Sequence, residues 1–183
     1  MDIKALDSCP ASRFTAAVAP LFEGAPRFLG RLATARPFGS PEALFAAARA
    51  IAHAMTRDEQ HELIDAHPRL GAPAATVSAL SFREQGYDEE AADAHAAESA
   101  MERARLADEL DRLNAAYEAR FGHRYCVFVA GRPREALLPG MLAALEEDPE
   151  SELGRALDAV VDIAADRYAK LAGTLGGTRD RAR

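Results

Sequence analysis

Ala66-His67-Pro68-Arg69-Leu70-Gly71, a loop of small residues, then Ser81-Phe82-Arg83-Glu84-Gln85 form the stretch from which the rest of the chain is read. A helical approach from Thr56 to Ala66 must stop at His67, because proline disfavours the helical conformation of the residue before it and has no amide hydrogen to give. The imidazole therefore sits at a break. Gly71 to Ala79 holds Gly71, Pro73, Thr76 and Ser78 and has no helical or strand period, so it reads as a loop. A second helix is expected to start at Ser81. A histidine and a Glu-Gln pair then flank one connection, an arrangement suited to proton transfer on a small polar molecule.

Outward from this stretch, helix signals dominate. Ser40-Pro41-Glu42 offers a capping hydroxyl, a proline at the first helical position and a carboxylate near the positive end of the dipole, for a helix to about Met55. Thr56-Arg57-Asp58-Glu59 has the spacing of a capping box. Upstream, Phe14, Val18, Leu21 and Phe22 mark one short apolar face, and Phe28, Leu29 and Leu32 another, opened by Pro26 and ended by Arg36-Pro37-Phe38-Gly39.

The longest helical stretch is expected from about Glu89 to Arg120. In it Leu106, Leu110, Leu113, Tyr117 and Phe121 recur at helical spacing as one buried stripe. Its first part, Ala91 to Ala100, reads as a solvated extension or a separate short helix, and Asp88 to Glu109 as a solvated charged face. Tyr125 to Val129 is the only β-prone run and cannot build a sheet alone, so a buried extended segment or an irregular helix is expected. Pro139-Gly140 must bend or split the helix between Pro133 and Glu147. Asp148-Pro149-Glu150 starts the last helix, whose apolar face carries Leu153, Leu157, Val160, Ala164 and Leu171. Residues 176–183 read as a disordered tail.

The totals fit one all-α domain over residues 1–175. The chain has 183 residues, 7% aromatics and no tryptophan, and alanine supplies much of its apolar content. A net charge of −7 spread along the chain argues against a nucleic-acid partner. Cys9 and Cys126 suggest neither a disulfide framework nor a metal knuckle, and His53, His61, His95 and His123 lack metal-ligand spacing, so no metal is expected. No run approaches the ~20 apolar residues that span a bilayer, and no leader is legible, so a soluble cytoplasmic protein without a membrane partner is expected.

His67-Pro68-Arg69-Leu70-Gly71 followed by Ser81-x-x-Glu84-Gln85 resembles the 2-oxo-4-hydroxy-4-carboxy-5-ureidoimidazoline (OHCU) decarboxylases of urate breakdown. Further pieces match in order: Phe22-Glu23 with Pro26, Arg36-Pro37-Phe38, Leu113-Asn114-x-x-Tyr117-x-x-x-Phe121-Gly122, Gly131-Arg132, and Asp148-Pro149-x-x-Glu152. The resemblance implies an all-helical bundle, commonly a homodimer and free of cofactors, acting on a small-molecule substrate to give S-allantoin. It implies that His67 is the catalytic acid/base and that Glu84 and Gln85 hold the substrate. Pro68, Ser81 and the backbone after Gly122 would line the pocket.

Two departures bear on the substrate. His123-Arg124-Tyr125 replaces the family's apolar-proline-aromatic run. Ala144-Leu145-Glu146-Glu147 falls where the family carries Arg-Leu-x-Asn, and Arg124 or Arg69 is expected to supply the missing charge, with Tyr125 in the pocket wall. The alternatives are an enzyme of the same fold acting on a related ureido or cyclic amide substrate, and a non-catalytic helical interaction module. Spacing alone also allows Ser81-x-x-Glu84 to be a capping box, and Arg36 to be a carboxylate anchor or a structural ion pair.

Overall fold

The computed structural model describes residues 1–87 and 97–177. Every regular element among them is helical, as expected. The chain forms two compact units, residues 1–66 with the chain from 157 onward, and residues 67–156. The N-terminal part of the long stretch expected from Glu89, the acidic residues after Tyr87 and most of the expected tail lie outside the described residues.

The first unit holds α1 (Ile3–Ser8), α2 (Ala11–Val18), α3 (Pro26–Thr34), α4 (Pro41–Ala54), α5 (Arg57–Asp65) and the greater part of the last helix. Local sequence decides the starts. Ser40 accepts from the Ala43 amide, and Thr56 and Glu59 form the expected capping box. The core closes around Phe14, Phe22, Phe28, Leu32, Leu44 and Leu63, all fully buried, and the Phe22 and Phe28 rings meet at 4.8 Å. Burial of such side chains is the main favourable term, about 1.5–3 kcal/mol each. Among the described residues Arg36 makes no ion pair; it donates to the carbonyls of Ala33, Leu6 and Cys9 and lies over the Phe14 ring at 4.8 Å.

The second unit begins at His67 and contains α6 (Ala79–Glu84), α7 (Ala97–Phe121), α8 (Leu138–Ala144) and the start of α9 (Pro149–Gly177). The expected stripe is its spine: Leu106, Leu110, Leu113, Tyr117 and Phe121 are buried together with Leu70, Tyr125, Val129, Leu137 and Met141. Tyr125 to Val129 belongs to no regular element, and Tyr125, Cys126 and Val129 are buried, which is the extended alternative. Pro139 falls in the first turn of α8, after a short 3-10 turn at Arg134–Leu137, so the expected helix is split there. Asp148 caps α9 by accepting from the amides of Glu150 and Ser151.

Helix α6 starts earlier than expected. Ser78, not Ser81, is its cap, accepting from the Ser81 amide at 3.1 Å. Ser81 thereby moves into the third helical position and is buried, so the Ser81-x-x-Glu84 capping box does not form. Both serines stand before a short apolar run; Val77 and Ser78 are the last extended residues, and that decides the start.

Candidate active site

Helix α5 ends at Asp65, and the chain turns through His67-Pro68 into Gly71. The His67 ring is buried, 4% exposed, and its carbonyl accepts from Arg124 Nη1 at 2.9 Å. Pro68 is half-buried beside it. Gly71 has φ +80°, a left-handed conformation in which a side chain is strained.

The Glu-Gln pair lies at the end of α6. Ser81 and Gln85 are four residues apart, on one face, and both are buried; Glu84 is half-buried. Gln85 is tied to the turn that follows His67: its Oε1 accepts from the Gly71 amide at 2.8 Å and its Nε2 donates to the Arg69 carbonyl at 3.2 Å. Tyr87 donates to the Ala72 carbonyl at 2.5 Å and to Gln85 Oε1 at 3.4 Å. Burial raises the Tyr87 phenol above its ordinary value against the opposing pull of Arg134, so it remains a donor at neutral pH. Gln85 thus holds the turn that follows His67 through the backbone groups of Arg69 and Gly71.

The two arginines nominated for the missing charge differ. Arg69 is exposed and ion-paired with Glu118, its Nε 2.6 Å from Oε1, so its charge is already matched. Arg124 is half-buried against His67. One more residue reaches the turn, and the sequence reading gave it no role. Asn114, 1% exposed on α7, donates from Nδ2 to the Leu70 carbonyl at 2.9 Å. Its only sequence signal was its place in the Leu-Asn-x-x-Tyr motif.

Beyond Arg124, the extended run puts Tyr125 into a cavity of about 500 Å³ lined also by Arg132, Leu137, Ala144, Glu152 and Arg155. Ala144 therefore faces a space in which two arginines stand, Arg132 from the loop before α8 and Arg155 from α9. Arg155 makes paired hydrogen bonds to Glu152 at 2.7 and 2.5 Å, donates to the Cys126 carbonyl at 3.0 Å and lies over the Tyr125 ring at 5.1 Å. Tyr117 donates to the same Glu152 at 2.5 Å. Burial and the Glu152 carboxylate push the Tyr117 phenol far above its ordinary range, so it is a permanent donor. Burial also pushes the Tyr125 phenol up.

Comparison with known proteins fits this geometry to a family. The OHCU decarboxylase family model matches residues 7–169. The chain belongs to the OHCU decarboxylase family. It is 30% identical over 174 residues to the uric acid degradation bifunctional protein PucL of Bacillus subtilis, covering 95% of this chain and 33% of that protein, so it spans a third of that relative's length. It is 28% identical over 157 residues to the 2-oxo-4-hydroxy-4-carboxy-5-ureidoimidazoline decarboxylase of Haloferax volcanii, covering 86% of this chain and 88% of the relative. Two crystal structures share the family fold. An (S)-allantoin synthase matches with TM-score 0.62 at 19% identity, over 93% of this chain and 54% of that one. An OHCU decarboxylase in the presence of (S)-allantoin matches with TM-score 0.60 at 21% identity, over 85% and 96%.

Proposed function

We propose that this chain decarboxylates 2-oxo-4-hydroxy-4-carboxy-5-ureidoimidazoline to S-allantoin in urate breakdown. The observation that carries the reading is the buried His67, at a turn whose backbone is held by the Gln85 side chain, in a chain of this family. The bond to the carboxyl carbon breaks and carbon dioxide leaves. The electron pair passes through the adjacent ring carbon to the imine nitrogen, which takes a proton. The hydroxyl proton then moves to the ureido-bearing carbon, which becomes the stereocentre.

Because the ring accepts the charge, the protein needs to supply orientation and a proton carrier. His67 takes the hydroxyl proton and returns it to one face of the carbon, within the pH range where imidazole can do both. Glu84 accepts hydrogen bonds from the ureido and ring nitrogens. Gln85 contributes the second hydrogen of its amide while the first stays on Arg69. Pro68, Ser81 and Tyr125 complete the wall. Arg124, which lies beside His67 and donates to its carbonyl, meets the substrate carboxylate.

Support for a single domain comes from the family match, which runs across both compact units. The dispersed charge of −7 supports a protein without a nucleic-acid partner. Among the described residues no helix is long and apolar enough to cross a membrane, which supports the absence of a membrane partner and a cytoplasmic place. The family resemblance supports a homodimer. Ala144 in the cavity wall favours one second reading, the same chemistry on a related ureido or cyclic amide substrate.

Freshly generated urate oxidation product provides the test. Its transient absorbance should decay faster with the protein and give optically active allantoin. Racemic allantoin formed at the spontaneous rate would refute the assignment. His67→Ala should lower the rate about 100-fold or more, the usual effect of losing a general acid/base. Dialysis against a metal chelator should leave the wild-type rate unchanged.

A further inference from the structure

Three residues of α7 spaced by one turn each meet three successive residues of the His67 turn, in reverse order. Leu110 packs on Gly71, so closely that a Cβ there would lie 2.8 Å from Leu110 Cδ1. Asn114 donates to the Leu70 carbonyl, and Glu118 pairs with Arg69. Residues four apart share a helix face, so α7 offers this turn an apolar contact, a neutral hydrogen bond and an ion pair in a row. From the other sides Gln85 holds Arg69 and Gly71, and Arg124 holds His67.

We propose that Asn114 is a positioning residue: it registers the turn on α7 and so fixes where the His67 imidazole is presented. The inference rests on the decarboxylase reading of His67 given above. The orientation of the Asn114 amide is decided by its one bond, since the reverse orientation would set its oxygen against the Leu70 oxygen. Its own Oδ1 is buried and has no hydrogen-bond partner among the described residues. A buried acceptor left unmatched works against folding, whereas leucine has the same branched skeleton of four heavy atoms and carries no acceptor to leave unmatched. An asparagine in this place is therefore a poor choice for packing and a good one for holding a carbonyl. Leu110 alone could slide along the turn; the directional bond stops that.

Asn114→Leu and Asn114→Asp test this. In Asn114→Leu, helical circular dichroism and a cooperative melt should be retained while the amides of residues 70–72 exchange about tenfold faster, the scale of one lost hydrogen bond. Displacement of the acid/base should lower kcat about 10–100-fold with KM within about threefold. The His67 ring, followed by NMR, should titrate at a different midpoint. An aspartic acid can donate to Leu70 only while protonated, so Asn114→Asp should approach wild-type exchange as pH falls, and Asn114→Leu should not.

Unchanged exchange at 70–72, or a loss of protection spread evenly along α7, would overturn the proposal. Should Asn114→Leu fail to fold, Asn114→Asp carries the test, and protection at 70–72 that does not recover as pH falls would overturn the proposal equally. Failure of the wild type to turn over the ureidoimidazoline would sink the functional reading alone. Exchange and the His67 titration still decide the positioning role.

Discussion

Gly71 shows how one residue can be fixed twice over. Its φ of +80° and its approach to Leu110 both exclude a Cβ. Gly71→Ala should therefore cost about 1–3 kcal/mol, the scale of a strained backbone conformation, read from the denaturant midpoint. Leu110→Ala in the same chain should relieve the contact without relieving the backbone strain.

Glu59 belongs to this scale too. Hydrogen bonds from Arg31, and then from the Thr56 amide, hold its carboxyl at about 2, below its ordinary 4.5. A depressed folded value means that the contribution is full above the unfolded value. It is lost as pH falls through about 4.5 toward 2. The melting temperature of the wild type should fall across that window, and the fall should be shallower in Glu59→Gln.

Caps and stripes were legible because each is written within one or two turns of chain. Ser40, Thr56 with Glu59, and Asp148 all act on amides two or three residues away. The Leu106-to-Phe121 stripe needs only helical spacing. The start of α6 was misplaced because Ser78 and Ser81 offer the same cap three residues apart, and only the extended backbone at Ser78 separates them. At the candidate site, the helix break at His67 was legible from the proline that follows it. Asn114 was not, because its partner is 44 residues away. Gln85 was expected to face substrate, and its contacts with the turn 14 and 16 residues back could not be read from spacing.

At the same scale, α9 anchors the extended run through Glu152 and Arg155. Tyr117→Phe removes one donor to a buried carboxylate while Arg155 stays in place, so stability should drop by about 1.5–3 kcal/mol, the range for a hydrogen bond to a charged group. Glu152→Gln should cost more, because it also unpairs Arg155 from its carboxylate. Thermal melts of the two variants order these costs. A larger loss in Tyr117→Phe would mean that the tyrosine hydroxyl, rather than the pairing with Arg155, carries the hold on Glu152.

For the whole molecule, α9 is the element that a cut through the chain cannot divide without loss. Residues to 156 belong to the unit that carries His67, and residues from 157 to the other unit. In that other unit Arg167 is 1% exposed, donates to the carbonyls of Pro20 and Leu21, and pairs with Glu23 at 2.8 Å. Val160, Val161 and Ala164 are buried alongside it. A chain ended after Ala156 would leave the Glu23 carboxylate and both carbonyls without this partner and expose the apolar side chains that α9 covers. Truncation there should abolish the cooperative melt of residues 1–66. Arg167→Ala in the full chain should cost about 3–5 kcal/mol, as expected when one member of a buried pair is removed. Limited proteolysis discriminates: cleavage should appear first within residues 1–66 in both variants. If the truncated chain instead keeps that segment protected, its helices α1 to α5 close their own core and α9 is an accessory rather than a keystone.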